Sequence, residues 1–278
     1  MAELLHVHRQ GEASTQPCIV FIHGWGLNSA IFAPVSKRLS EHFQVIGVDL
    51  PGFGLNHQNA PDDYALDTVT EQVAATLAQQ LPGKAVIVGW SLGGLVATQL
   101  TLRYPQLVSG LVSLCSTPKF SADDHWPGIE SQLLTSFHAA LADDAQKTIN
   151  NFLKLQAMGS EHVRQDIKTI RALINEYPNA SITTLDHSLN LLEQVDLRAK
   201  LVNVSVPVLR MYGRLDALVP KKVISQVDKL WPDTDSYTFE RASHAPFISH
   251  SEEFYTVLMG WITGNIRTDN NNITNATE

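Results

Sequence analysis

Three residues of this chain have the types and the order that nucleophilic acyl transfer requires: Ser91, Asp216 and His244. A serine hydroxyl is a poor nucleophile at neutral pH. It needs a histidine to take its proton, and that histidine needs an anion to hold its tautomer and stabilise the imidazolium. Ser91 lies in Gly89-Trp90-Ser91-Leu92-Gly93, after the apolar run Ala85 to Val88 and before a helical pattern from Leu95 to Tyr104. This order predicts a strand, a sharp turn with serine at its apex, and a helix. Gly89 and Gly93 leave room where the chain folds back on itself. The helix N-terminus beside the serine offers free N–H groups to a developing negative charge. The five-residue pattern alone arises by chance in roughly one chain in ten of this length, so the flanking elements carry the argument.

The partners follow in the order Asp, then His, each after a strand-like run. Asp216 comes after Val206 to Tyr212 and Gly213, and Val219-Pro220 then leads into a helix. His244 comes after Ser236 to Phe239, within Arg241 to Phe247, where Pro246 stiffens the loop. His250 is the nearest rival and falls near the start of the last helix. Two backbone donors are needed for a tetrahedral oxyanion. Leu92, directly after the serine, supplies one. Trp25, in the loop His23-Gly24-Trp25-Gly26, is the candidate for the other, while His23 and Asp49 read as structural residues.

The elements that must position these residues alternate in kind. Cys18 to Ile22, Gln44 to Val48, Ala85 to Val88 and Leu111 to Leu114 read as buried strands. Ile31 to Phe43 and Leu66 to Leu81 read as helices between them. This rhythm predicts an α/β fold, a mostly parallel sheet covered on both faces. It stops after Ser116. From 117 to 196 the patterns are helical only, as in Ile129 to Leu141, Ala145 to Gln156 and Glu161 to Asn175, and it resumes with Val206 to Tyr212, Lys221 to Leu230, Ser236 to Phe239 and Glu252 to Ile262. The expected domains are a core of 1–116 and 197–262, an inserted helical cap of 117–196, and a disordered tail of 263–278 rich in Asn and Thr.

Gross composition narrows the functional classes. The chain has 278 residues, 44% of them hydrophobic, and a net charge of -8. No part is broadly basic, which argues against a nucleic-acid partner. No apolar run approaches the ~20 residues of a membrane span, and the N-terminus lacks the layout of an export signal, so a cytoplasmic protein without membrane contact is expected. Cys18 and Cys115 stand apart in apolar runs and read as reduced core residues. Neither belongs to a metal-ligand spacing, and no metal or other cofactor is expected. A monomer is expected.

Taken together, His23-Gly24-Trp25, Asp49 to Gly54, Gly89 to Gly94, Asp216 and His244 resemble the α/β-hydrolase superfamily over nearly all of the chain to about residue 262. Five finer stretches resemble one of its families, the pimeloyl-[acyl-carrier protein] methyl ester esterases of biotin synthesis: Phe21 to Asn28, Gly89 to Ala97, Asp124 to Ile129, Phe152 to Gly159 and Ser243 to His250. That resemblance implies a serine esterase whose acyl pocket is lined by Trp25 with Phe152, Leu153, Lys154, Leu155 and Gln156, beside Ser91, Leu92 and His244. It also implies an acidic acyl-carrier protein as partner, docked on basic residues matching Lys147, Arg164 and Lys168. Asn151 departs from the pattern, standing where the family would place another arginine.

The charge pattern bears on the same point. Arg164, Lys168 and Arg171 recur at helical spacing, and Lys147 and Lys154 lie on another helical segment. Such a stripe suits steering of an acidic partner. It equally suits a solvated face balanced by Glu161 and Asp166. A general short-chain carboxylesterase or a carbon–carbon bond hydrolase would use the same triad, and a non-catalytic ligand-binding module would not need it. Haloalkane dehalogenation would require aspartate in place of Ser91.

Overall fold

The computed structural model describes residues 4–12, 16–158 and 162–266. Its centre is a seven-stranded sheet built from β1 (Val7–Gln10), β2 (Cys18–Ile22), β3 (Val45–Val48), β4 (Ala85–Trp90), β5 (Val108–Leu114), β6 (Val208–Gly213) and β7 (Asp235–Phe239). The spatial order is β1-β3-β2-β4-β5-β6-β7. β1 runs antiparallel to β3, and every other pairing is parallel. Every residue of β2, β3, β4 and β6 is buried, as continuous apolar runs require when helices cover both faces of a sheet. β1 is the strand that apolar patterning misses. It is a half-buried edge with polar residues such as His8, Arg9 and Gln10, held by its backbone register with β3 rather than by a hydrophobic run.

The core helices are α1 (Ala33–Leu39), α2 (Leu66–Gln80) and α3 (Leu92–Arg103), followed after the insertion by α8 (Lys221–Leu230), α9 (Pro246–Ser249) and α10 (Ser251–Asn265). The helix expected over Ile31 to Phe43 is divided. A 3-10 turn covers Ser29–Phe32, and α1 begins only at Ala33, with Pro34 in its first turn. Proline fits there because the first-turn N–H groups have no intrahelical acceptor. Pro246 likewise opens the short α9 rather than stiffening an irregular loop. α10 continues to Asn265, and Ile266 after it is buried. The expected disordered tail therefore begins too early at 263, and its remainder from 267 lies outside the described residues.

Between β5 and β6 the chain forms α4 (Ser131–Asp143), α5 (Ala145–Ala157), α6 (Val163–Ile174) and α7 (Ile182–Gln194). Asp144 caps α5 by accepting from the Lys147 N–H, and Ser181 caps α7 by accepting from the Thr184 N–H. Two isolated bridges, Ser121 with Ile129 and Asp123 with Trp126, fold the entry segment, where only helical patterns were expected. Two side chains of the core reach across to this helical insertion. Trp25 Nε1 donates to the Leu185 carbonyl at 2.9 Å, and Asn28 Nδ2 donates to the Ile174 carbonyl at 3.2 Å.

Candidate active site

Ser91 stands between the C-terminal end of β4 and the first residue of α3, with φ 56° and ψ −122°. A side-chain-bearing residue rarely adopts this conformation, and it persists only where the surroundings enforce it. They do so here. The Ser91 N–H donates to the Leu114 carbonyl at 3.0 Å, and its own carbonyl accepts from the Gly94 N–H at 2.9 Å and from Ser116 Oγ at 2.7 Å. A Cβ on Gly93 would lie 2.2 Å from the Ile22 carbonyl oxygen, and one on Gly89 would lie 2.3 Å from the Gly93 carbonyl oxygen. Both are contacts with backbone that cannot give way, so glycine is required on either side of the serine.

Gly24 brings the loop after β2 against this turn, its Cβ position 3.0 Å from Ser91 Cβ. That places Trp25 and Leu92 in the two segments flanking the hydroxyl. Among the described residues neither N–H donates to a turn or loop carbonyl. His23 acts beneath the same loop. Its Nε2 accepts from the Leu50 N–H at 2.9 Å, which leaves the proton on Nδ1 to donate to the Gly24 carbonyl at 2.8 Å. Burial lowers its pKa, in keeping with a neutral, structural imidazole.

On the other side, His244 and Asp216 are buried together, with His244 Nδ1 2.7 Å from Asp216 Oδ2. The second carboxylate oxygen, Oδ1, accepts from the Leu218 and Val219 N–H groups at 2.8 and 3.0 Å. The carboxylate is therefore fixed from both ends. The His244 loop is held by Trp90 Nε1, which donates to the His244 carbonyl at 2.7 Å, and by the His244 N–H, which donates to the Gln156 carbonyl at 3.1 Å. With Nδ1 committed to Asp216, Nε2 is left buried and without a hydrogen-bond partner among the described residues. It is the nitrogen available to accept a proton.

A small, wholly apolar cavity opens beside Ser91. It is lined by Phe120, Leu134, Phe137, Phe152, Leu189 and Leu218, among others, and is almost filled by those side chains. Of the five consecutive positions implied by resemblance, Phe152 lines this cavity and packs edge-on against Trp25, with ring centroids 4.8 Å apart. Leu153 is buried and Leu155 half-buried. Lys154 is exposed, with Nζ 3.4 Å from Asn151 Oδ1. Gln156 is buried beside His244, with both amide atoms unpaired among the described residues. Lys147, Arg164 and Lys168 are exposed, whereas Arg171 is half-buried and donates to Asn150 Oδ1 at 2.8 Å. Sequence reasoning did not single out Ser116, Leu134, Leu189 or Leu218. Nothing local marks them, because they reach the site from separate elements.

Among the described residues, one group has metal-ligand types close together: Cys115, Asp216 and His244, whose ligand atoms lie within 4.8 Å of one another. Its histidine and carboxylate are already committed to each other. Burial, reinforced by the charge of Asp216, raises the Cys115 pKa well above its ordinary value and keeps the thiol protonated. This donor set suits proton transfer better than a cation.

A strained serine ends a central parallel strand, and a buried Asp–His pair packs against Trp90, the residue before it. The chain belongs to the α/β-hydrolase fold family, whose model matches residues 17–251. Solved structures similar to it include an esterase from Exiguobacterium antarcticum, 24% identical, covering 93% of this chain and 95% of its own, with a TM-score of 0.84. A bromoperoxidase from Bacillus anthracis is 20% identical over 92% and 94% of the two chains, with a TM-score of 0.82. An enol-lactonase from Burkholderia xenovorans LB400 is 18% identical over 93% and 96%, with a TM-score of 0.78. At these identities the likeness is one of fold.

Proposed function

We propose that this chain is a serine carboxylic-ester hydrolase that cleaves the methyl ester of a pimeloyl chain carried on an acyl-carrier protein. The observation that carries the hydrolytic part is the buried Asp216–His244 pair, whose Nε2 has no partner among the described residues and whose histidine packs on Trp90, the residue before Ser91. Ser91 Oγ attacks the ester carbonyl while His244 Nε2 takes its proton. The N–H groups of Trp25 and Leu92 stabilise the oxyanion. Collapse of the tetrahedral intermediate breaks the bond to methanol, which leaves with the proton from His244. Water, deprotonated in turn by His244, then releases the carboxylate and regenerates Ser91.

The substrate part rests on the five stretches of family resemblance, and the apolar side chains beside Ser91 are of the kind that pack against methylenes. The exposed Lys147, Arg164 and Lys168 suit an acidic carrier. A second reading, a carboxylesterase for small apolar esters, is favoured by the near-filled cavity and by the engagement of Arg171 with Asn150.

Hydrolysis of the carrier-bound methyl ester by the purified protein separates the two readings, with p-nitrophenyl butyrate run in parallel. The double variant Arg164→Glu, Lys168→Glu is expected to lower kcat/KM on the carrier-bound ester about tenfold or more while sparing the small ester. Equal effects on both substrates would retire the docking surface. Turnover of the small ester alone would retire the carrier-bound substrate.

A further inference from the structure

Cys115 follows β5 and is fully buried, with φ +43°. Like Ser91, it is a side-chain-bearing residue in a conformation that the chain avoids unless its surroundings impose it. The Cys115 N–H donates to the Met211 carbonyl at 2.7 Å, which pins this backbone to β6, the strand that leads to Asp216. The result places the thiol beside the Asp216–His244 pair. Its sulfur lies within 4.8 Å of an Asp216 carboxylate oxygen and of a His244 ring nitrogen. The Ser243 carbonyl oxygen stands 3.9 Å from the same sulfur, at the limit of a thiol hydrogen bond, so that carbonyl and the Asp216 carboxylate compete for one S–H.

We propose that Cys115 is a positioning residue for the acyl-transfer reaction, its S–H dipole setting how tightly Asp216 holds the His244 imidazolium. This inference rests on the serine-hydrolase reading above. A donor aimed at the carboxylate stabilises its charge internally and weakens its pull on the histidine. Removing the donor has the opposite effect. The ionisable groups that face the thiol are Asp216 after β6, His244 after β7, and Tyr212 on β6 itself. Burial pushes Tyr212 up to about 12, so it stays neutral. The pair that changes charge through catalysis is therefore Asp216 and His244.

Serine at position 115 presents a stronger donor than the thiol, and alanine presents none. The acid limb of the kcat/KM profile on p-nitrophenyl butyrate, which reports His244 in the free enzyme, is expected to move in opposite directions. It should fall by roughly 0.3 to 0.5 pH units in Cys115→Ser and rise by a similar amount in Cys115→Ala. A merely structural cysteine would change stability or overall rate without this opposed pair of shifts. Should the alanine variant fold poorly, the low-field Nδ1 proton resonance of His244 in Cys115→Ser gives a second reading. It is expected to move upfield relative to the parent as the carboxylate bond weakens. Acid limbs that stay at the parental position, or move the same way in both variants, or an unmoved Nδ1 resonance, would overturn the proposal. Activity that survives Ser91→Ala would instead overturn the reading on which it rests.

Discussion

At the scale of single residues, the site is a set of groups with no freedom left. Ser91 is held in a left-handed turn by three hydrogen bonds and by two glycines whose Cβ positions are filled by backbone. Asp216 spends one oxygen on two N–H groups and the other on His244. On the proposed mechanism its role is to fix the tautomer that leaves Nε2 free, and this gives a direct expectation. Asp216→Asn offers Nδ1 an amide that can donate as readily as accept, so the ring can settle with its proton on Nε2 and lose its function as a base. kcat should fall by roughly 10³- to 10⁴-fold at neutral pH with little change in fold. Steady-state kinetics alongside circular dichroism would check it, and an activity loss under tenfold would contradict the assigned role.

At the scale of elements, a buried carboxylate ties together the loops after β2 and β3. Asp49, after β3, accepts from the Ser29 N–H at 2.7 Å and the Leu55 N–H at 2.9 Å, and lies 3.4 Å from His8 Nε2 on β1. Burial alone would raise its pKa, but the hydrogen bonds from His8 and Ser29 outweigh burial and lower it from 3.8 to about 2. A carboxyl group depressed by folding stabilises the native state above its unfolded pKa, and that contribution is lost as pH falls through the folded value. Asp49 should therefore contribute roughly 2 kcal/mol at neutral pH, lost between about pH 4 and pH 2. Asp49→Asn is expected to lower the Tm at pH 7 and to flatten its dependence across that acid window. Thermal melts from pH 7 downward test this, and an unchanged acid slope in the variant would contradict it.

At the scale of the whole molecule, what could be read in advance divides along the range of the interactions. The strained turn at Ser91 and the loop positions of Asp216 and His244 were legible because each is announced by its own neighbours: an apolar strand, then a turn. The helical insertion was legible as a break in the alternation after Ser116. β1 was not, because an edge strand of polar residues is fixed by pairing with β3, far along the chain. Ser116 and Cys115 were not legible as parts of the site either. Each acts through a contact that exists only once β4, β5 and β6 lie side by side. The same holds for Gln156, whose carbonyl receives the His244 N–H across the boundary between core and insertion. The core and the insertion enclose the apolar cavity together, through Ser91 and Leu218 from one and Phe137, Phe152 and Leu189 from the other.

All of these roles meet in one claim, that Ser91 is the nucleophile of an ester hydrolase. The most direct measurement is rapid acid quenching during turnover of p-nitrophenyl butyrate, followed by intact-protein and peptide mass spectrometry. The account predicts a butyryl adduct on the peptide containing Ser91, formed within the first turnover, and neither adduct nor turnover in Ser91→Ala. Hydrolysis that persists in Ser91→Ala, or an adduct on a different residue, would contradict it.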